Sequence, residues 1–222
     1  MKISEIFYSI QGEGSLLGVP SVFVRTTGCN LRCVWCDTPY TSWQPEGEEM
    51  AISEILRKVQ SYNARHAVVT GGEPLIMPAV PELIEQLRSL GFHVTIETAG
   101  TVSTTAVCDL MSISPKLGNS TPEGAFAQQH DKLRLNMQVL KELMQQPYQL
   151  KFVVAAESDM AEILALVRAL GAPPESVMLM PEGTKPELLR ERSGWLVEQA
   201  KLHGYRFTPR LHIDLYGNRR GV

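Results

Sequence analysis

The chain has 222 residues, 44% of them hydrophobic, which is enough for a single domain with a substantial core. A net charge of −3 and the lack of a Lys/Arg stripe argue against a nucleic-acid surface; the exception, the short Asn218–Val222 tail, reads as solvated. No apolar run reaches the roughly 18 residues of a membrane helix, and Met1–Glu5 lacks the apolar stretch of a signal peptide, so a cytoplasmic protein without membrane or nucleic-acid partners is expected.

Short apolar runs alternate with helix-period segments along the whole chain. Ser21–Arg25 reads as a strand, and Ile52, Ile55, Leu56 and Val59 recur with the helical period. His66–Thr70 is a β-branched run closed by Gly71-Gly72. Val80, Leu83, Ile84 and Leu87 give a helix with Pro81 in its first turn and Gly91 at its stop. His93–Glu97 and Asp109–Ser114 are further strands; Leu133, Met137, Leu140 and Met144 form one helical stripe. Gln149–Val154 is a strand, Met160 to Val167 a helix ended by Gly171, Ser176–Met180 a strand, and a last helix opens near Pro186. No repeat or linker divides the chain, so residues 1–222 are expected to form one domain.

Strands alternating with helices imply βαβ units and a parallel sheet. About six mainly parallel strands are too few to close an eight-stranded barrel, so the expected fold is α/β, an open, partial β/α barrel. Functional residues in such folds gather where strands end. The polar motifs fall there: Thr70-Gly71-Gly72-Glu73, Glu97-Thr98, Ser114-Pro115-Lys116 and Pro181-Glu182-Gly183.

Of four cysteines, Cys29, Cys33 and Cys36 form C-x₃-C-x₂-C directly after the first strand, and Cys108 stands alone. Such clustering points to a metal or to redox chemistry rather than a disulfide framework. Thiolates suit both zinc and iron–sulfur clusters. Structural zinc takes four ligands, and its fourth here would have to be Cys108 or a histidine. A cubane on three cysteines leaves one iron without a protein ligand, and the absence of a second ligand pair favours it.

C-x₃-C-x₂-C after a strand, followed by Gly71-Gly72-Glu73-Pro74, resembles the radical S-adenosylmethionine (SAM) superfamily. The resemblance implies a [4Fe–4S] cluster on Cys29, Cys33 and Cys36, with SAM chelating the open iron and yielding a 5′-deoxyadenosyl radical on reduction. Ser9–Gly14, Cys36-Asp37-Thr38, Glu97–Thr101, Ser114-Pro115-Lys116 and the closing Leu215–Val222 together resemble the 7-carboxy-7-deazaguanine synthases. That family implies radical ring contraction of 6-carboxy-5,6,7,8-tetrahydropterin with loss of ammonia, for 7-deazapurine (queuosine-type) biosynthesis. It also implies SAM as a regenerated cofactor, a Mg²⁺ ion, a flavodoxin- or ferredoxin-like electron donor and a homodimer.

Carried onto this chain, the family's SAM contacts are Trp35, Cys36, Asp37, Gly72, Ser114, Pro115, Lys116 and Met180-Pro181-Glu182-Gly183, with Glu97 at the ribose. Other branches carry a glutamine where this chain has Met180. Substrate would meet Ile10, Gln11, Gly12, Glu13, Arg25 and Thr70, and Thr38 would offer oxygen to Mg²⁺. Each has a plainer reading: Arg25 as an ion-pair partner, Thr38 as a turn hydroxyl, Gln11 and Glu13 as solvated loop residues. A glycyl-radical activase would share the cysteine spacing but not the Gln11–Gly14 element with Ser114-Pro115-Lys116; a zinc- or cluster-binding structural or electron-transfer protein is the other alternative, set apart by iron and sulfide content and by SAM cleavage on reduction. Met137, Met144, Met178, Met180, Trp43, Trp195 and Cys108 read as packing residues. The five histidines lack ligand spacing.

Overall fold

The structure, a computed structural model, describes residues 1–222. Its centre is one nine-stranded sheet in the order β3-β1-β2-β4-β5-β6-β7-β8-β9. The strands are β1 (Lys2–Ile10), β2 (Pro20–Thr26), β3 (Glu48–Glu49), β4 (His66–Thr70), β5 (His93–Thr98), β6 (Leu110–Ile113), β7 (Tyr148–Val154), β8 (Val177–Pro181) and β9 (Arg206–Phe207). From β2 to β9 every pairing is parallel. The order is linear, so the sheet curls without closing, as the strand count implies.

The helices are α1 (Pro39–Ser42), α2 (Ile52–Gln60), α3 (Val80–Ser89), α4 (Ala127–Leu133), α5 (Met137–Leu143), α6 (Asp159–Leu170), α7 (Pro186–His203) and α8 (Leu211–Tyr216). The long crossover helices α2, α3 and α6 bury Ile55 and Val59, Leu83, Ile84 and Leu87, and Ile163 and Val167 in the main core.

Parallel strands are buried on both faces, yet here the two faces differ in chemistry. Successive side chains point to opposite sides of a strand. Val22 and Val24, Ala67 and Val69, Val94 and Ile96, Met111 and Ile113, and Leu150, Phe152 and Val154 go to the helix side and make the core. The alternate residues Phe23 and Arg25, Thr70, Glu97, Ser112, and Lys151 and Val153 face the concave side, where they line a cavity. The strand alternation therefore builds core and site at once.

Three features differ from the sequence expectations. β1 is a full strand, antiparallel to β2, and β3 pairs antiparallel to β1. A bulge between Ile3 and Glu5 breaks the alternation of β1 and hides it from a period-2 reading. β9 adds a short parallel edge. The stripe from Leu133 to Met144 is two helices, not one: the chain breaks at Arg134–Asn136, where the Asn136 side chain caps α5 by accepting from Val139 N at 3.3 Å.

Phe152 is fully buried in β7, whereas Leu202 on α7 is 72% exposed. Phe152→Ala should cost about 3–5 kcal/mol and Leu202→Ala under about 0.5 kcal/mol in anaerobic urea unfolding followed by circular dichroism.

Candidate active site

The concave face encloses one cavity of about 520 Å³ at the C-terminal ends of the strands. The loop after β2 carries the three cysteines into its wall. That loop is held from several sides. Gly28 N donates to Thr41 O at 2.7 Å and Val34 N to Ser120 O at 2.9 Å. Arg32 N donates to His130 Nδ1 at 3.0 Å, and Trp43 Nε1 to Cys33 O at 3.1 Å. Leu31, Cys33 and Ala99 form a small apolar cluster with Cys29, Trp35 and Cys36 packed on it.

No disulfide joins the cysteines. Burial pushes the Cys29 thiol up to about 11 and the Cys33 thiol up to about 12, so metal loading must displace their protons. Cys108 is buried in the main core, with its backbone N–H on Gln146, and is absent from the cavity wall. It therefore supplies no fourth zinc ligand. Three soft thiol donors facing one cavity suit an iron–sulfur cluster.

The loop after β4 closes on the cysteine loop. A Cβ at Gly72 would collide with the Gly28 carbonyl and lie 2.8 Å from Cys29 Cβ, so only glycine permits this approach. Glu73, fully buried, fixes the turn: it accepts from Thr98 Oγ1 at 2.8 Å, Ala99 N at 2.8 Å and Leu75 N at 3.1 Å. Burial raises its pKa despite those bonds. Lys116 Nζ donates to Ser114 O and Oγ, both at 2.8 Å, and lies 5.9 Å from the Trp35 ring.

The opposite wall is a buried charge network. Glu13 pairs with Lys151 and with Arg210 Nε at 3.0 Å; His212 Nε2 lies 4.0 Å away. Arg210 also pairs with Asp37 and donates to Gly183 O at 2.6 Å, joining the cysteine loop, the Gln11–Glu13 loop and the end of β8. Glu97 accepts from Gln11 Nε2 at 3.1 Å and Thr70 Oγ1 at 3.2 Å. Burial would raise the Glu13 pKa, but Lys151 and Arg210 outweigh it and hold the carboxyl well below the usual range. Burial and Arg210 act on Asp37 in the same opposed senses, and Arg210 prevails. Burial lowers His212, keeping it neutral at pH 7.

A scan of family models matches residues 23–115 to the Radical SAM superfamily. The 7-carboxy-7-deazaguanine synthase of Rhodopirellula baltica is 48% identical over 99% of this chain and 88% of its own length. That of Halobacterium salinarum is 45% identical over 98% of this chain and 91% of its own. The chain belongs to the 7-carboxy-7-deazaguanine synthase family. The crystal structure of QueE from Escherichia coli superposes with a TM-score of 0.73 at 26% identity, covering 95% of this chain and 94% of that one. SuiB of Streptococcus suis shares the fold alone, with a TM-score of 0.58 at 12% identity, covering 84% of this chain and 47% of that one.

In this 7-carboxy-7-deazaguanine synthase family member, most of the residues singled out from sequence meet in the cavity: Ile10, Gln11, Gly12, Glu13, Arg25, Cys29, Cys33, Trp35, Cys36, Asp37, Thr38, Thr70, Gly72, Glu97, Ser114, Lys116, Met180 and Glu182. Pro115, Pro181 and Gly183 do not line it; they belong to the flanking backbone. Glu97, expected at a ribose, sits with Gln11 and Thr70 on the charged side. Glu182 is tied to Arg192. The Asn218–Val222 tail, read as solvated, lines the cavity instead.

Sequence reading missed Lys151, Arg210, His212 and Glu5 as cavity residues. Lys151 carried a signal, a cation inside an otherwise apolar strand. Arg210 carried none, because its partners lie 173 and 197 positions away.

Glu13 binds no proton in the fold at pH values where the unfolded carboxylate begins to take one up. Its contribution is therefore present above about pH 4.5 and lost as pH falls below it. Glu13→Gln leaves Lys151 and Arg210 buried and short of an anion, and should cost about 3–5 kcal/mol at neutral pH. Urea unfolding across pH should show the gap to the parent narrowing on acidification; a constant gap would mean that Glu13 is not held as an anion.

Proposed function

We propose that this chain contracts the ring of 6-carboxy-5,6,7,8-tetrahydropterin to give 7-carboxy-7-deazaguanine with loss of ammonia. One observation carries the assignment of residues: a single cavity sets three unpaired thiols against an arginine that spends only its Nε on the protein. Arg25 Nε donates to Glu5 Oε1 at 2.7 Å, and the terminal nitrogens have no protein acceptor.

Cys29, Cys33 and Cys36 would hold the [4Fe–4S] cluster, and Trp35, Asp37, Gly72, Ser114 and Lys116 would take SAM beside it. The end of β8, Met180 to Gly183, lies at the edge of that half; its contact is through the backbone, because Met180 offers no amide. When bound, the cluster and SAM would supply the radical chemistry that the family implies. The chain's own residues then bind and orient. Arg25 takes the substrate carboxylate with two parallel charge-assisted bonds. Gln11, the Glu13 carboxylate, Thr70 and the backbone of Ile10 and Gly12 meet the pterin edge. Glu97 lies where the two ligands adjoin and offers acceptors to either. Lys151 and Arg210 keep Glu13 anionic, so it accepts hydrogen bonds and holds no proton to give up.

Thr38, beside Cys36 at 3.8 Å between Oγ1 and Sγ, faces the cavity and is the proposed Mg²⁺ ligand. A magnesium ion keeps several waters and needs few protein ligands. A flavodoxin- or ferredoxin-type donor, a homodimer and a cytoplasmic setting complete the reading. No helix is long and apolar enough to cross a membrane.

Anaerobic turnover of carboxytetrahydropterin with SAM, Mg²⁺ and a reductant should yield 7-carboxy-7-deazaguanine by mass; SAM cleavage without that product would sink the assignment. Arg25→Ala should raise KM for the pterin roughly ten- to a hundredfold, Arg25→Lys by less, with the cluster spectrum intact.

Thr38→Ala should blunt the response of turnover to Mg²⁺ while the cluster spectrum stays unchanged. A parental Mg²⁺ titration in this variant would leave Thr38 as a turn residue.

A further inference from the structure

Glu5 is the one carboxylate of β1 that faces the cavity, and the bulge after Ile3 puts it there. Ile3 and Ile6 both enter the core, so strict alternation fails between them. The extra residue turns Glu5 to the concave face beside Phe7 and sets it opposite Arg25 in the strand register. Bulges commonly re-aim a side chain next to a site.

Its carboxylate serves three groups. Oε1 accepts from Arg25 Nε at 2.7 Å and from Tyr40 Oη at 2.9 Å, and Oε2 lies 3.4 Å from Arg220 Nε. Arg25 is further seated over the Phe7 ring at 5.6 Å. Taking Nε leaves the two terminal nitrogens as the free edge of the guanidinium fork. Arg220 is gripped again by Glu46 at 3.0 Å, by Ser4 Oγ at 3.2 Å and by the Tyr40 ring at 4.2 Å. Arg220 thereby anchors the tail from Asn218 to Val222 along the same cavity.

We infer that Glu5 is a positioning residue for substrate binding: it aims Arg25 at the substrate carboxylate and, through Arg220, holds the C-terminal tail over the same end of the cavity. The inference rests on the proposed role of Arg25. It makes the tail and the carboxylate reader parts of one unit, because both arginines are held by one carboxylate.

The test measures KM for carboxytetrahydropterin, kcat, substrate-free SAM cleavage and cluster absorption in the anaerobic holoenzyme. The variants are Glu5→Gln, Arg220→Gln, the double variant, and Arg25→Ala as reference. Glu5→Gln should raise KM roughly tenfold and Arg220→Gln roughly threefold, and the double variant should match Glu5→Gln alone, because the tail acts through Glu5. In Glu5→Gln and Arg220→Gln, substrate-free cleavage and the cluster spectrum should stay at parental values and the effect should fall on KM rather than kcat, which a merely destabilised fold would not give. If Arg25→Ala raises KM while Glu5→Gln does not, the positioning role is overturned and the Arg25 reading stands. If Arg25→Ala leaves KM unchanged, that reading fails and this inference with it. Additive effects in the double variant would separate the tail from Glu5 and overturn the coupling. Should Glu5→Gln lose the cluster, Glu5→Asp takes its place, and a parental KM there overturns the role as well.

Discussion

Arg210 joins parts of the chain that share no sequence neighbourhood. One buried guanidinium holds Glu13 of the loop after β1, Asp37 of the cysteine loop and the carbonyl of Gly183 after β8. Burying an ion network is costly in itself, and such networks are weak evidence for stability. Their effect here is geometric. Glu13 cannot shift without stranding Lys151 and Arg210, and Asp37 cannot shift without freeing the cysteine loop from the far wall. His212 closes the same corner: a Cβ at Gly12 would collide with its ring, so the Gln11–Glu13 loop has room only because position 12 is glycine.

The thiol wall follows different physics. There burial works against ionisation of Cys29 and Cys33, with Lys116 the nearby cation favouring the thiolate. Burial thus favours the thiol form of Cys29 and Cys33 and leaves ligation to supply the driving force for proton loss. The cavity of about 520 Å³ thus sets buried thiols on one wall against an ion network on the other. Glu97 and Thr70 lie with Gln11 on the ionised wall.

The fold was legible where periodicity was clean. The bounds of β4 came out unchanged from its β-branched run, and α6 ends before Gly171 as its stripe implies. β1 was not legible, because its bulge places Ile3 and Ile6 on the core face with an even break between them. The break before α5 was hidden because Leu133, Met137, Leu140 and Met144 keep helical spacing across it; only the Asn136 cap marks it. In the site, the cysteines, the glycine pair after β4 and the strand-end polar residues could be read because each is a local pattern on one element. Arg210, His212 and Arg220 arrive from the far end of the chain, and their partners are fixed by the curl of the sheet, which no local pattern encodes.

A shared fold need not mean shared chemistry. The stretch matched to the superfamily as a whole runs from Phe23 to Pro115. It contains the three thiols, the Gly71-Gly72 turn and Glu97, together with Arg25 and Thr70. Glu5, the Gln11–Glu13 loop, Lys151, Arg210, His212 and the C-terminal tail all lie outside it, and they meet Asp37 and Glu97 from inside it in the charged wall. β1 has a particular part in this. It is antiparallel, so its C-terminal end runs away from the cysteine loop and feeds the Gln11–Glu13 loop into the far side of the cavity, while Glu5 near its start lies opposite Arg25. One antiparallel strand thus delivers both the Gln11–Glu13 loop and the carboxylate that accepts from Arg25 Nε. The matched stretch carries the thiol loop and its glycine turn, and the segments on either side of it bring Glu5, the Gln11–Glu13 loop, Lys151, Arg210 and His212 to the same cavity.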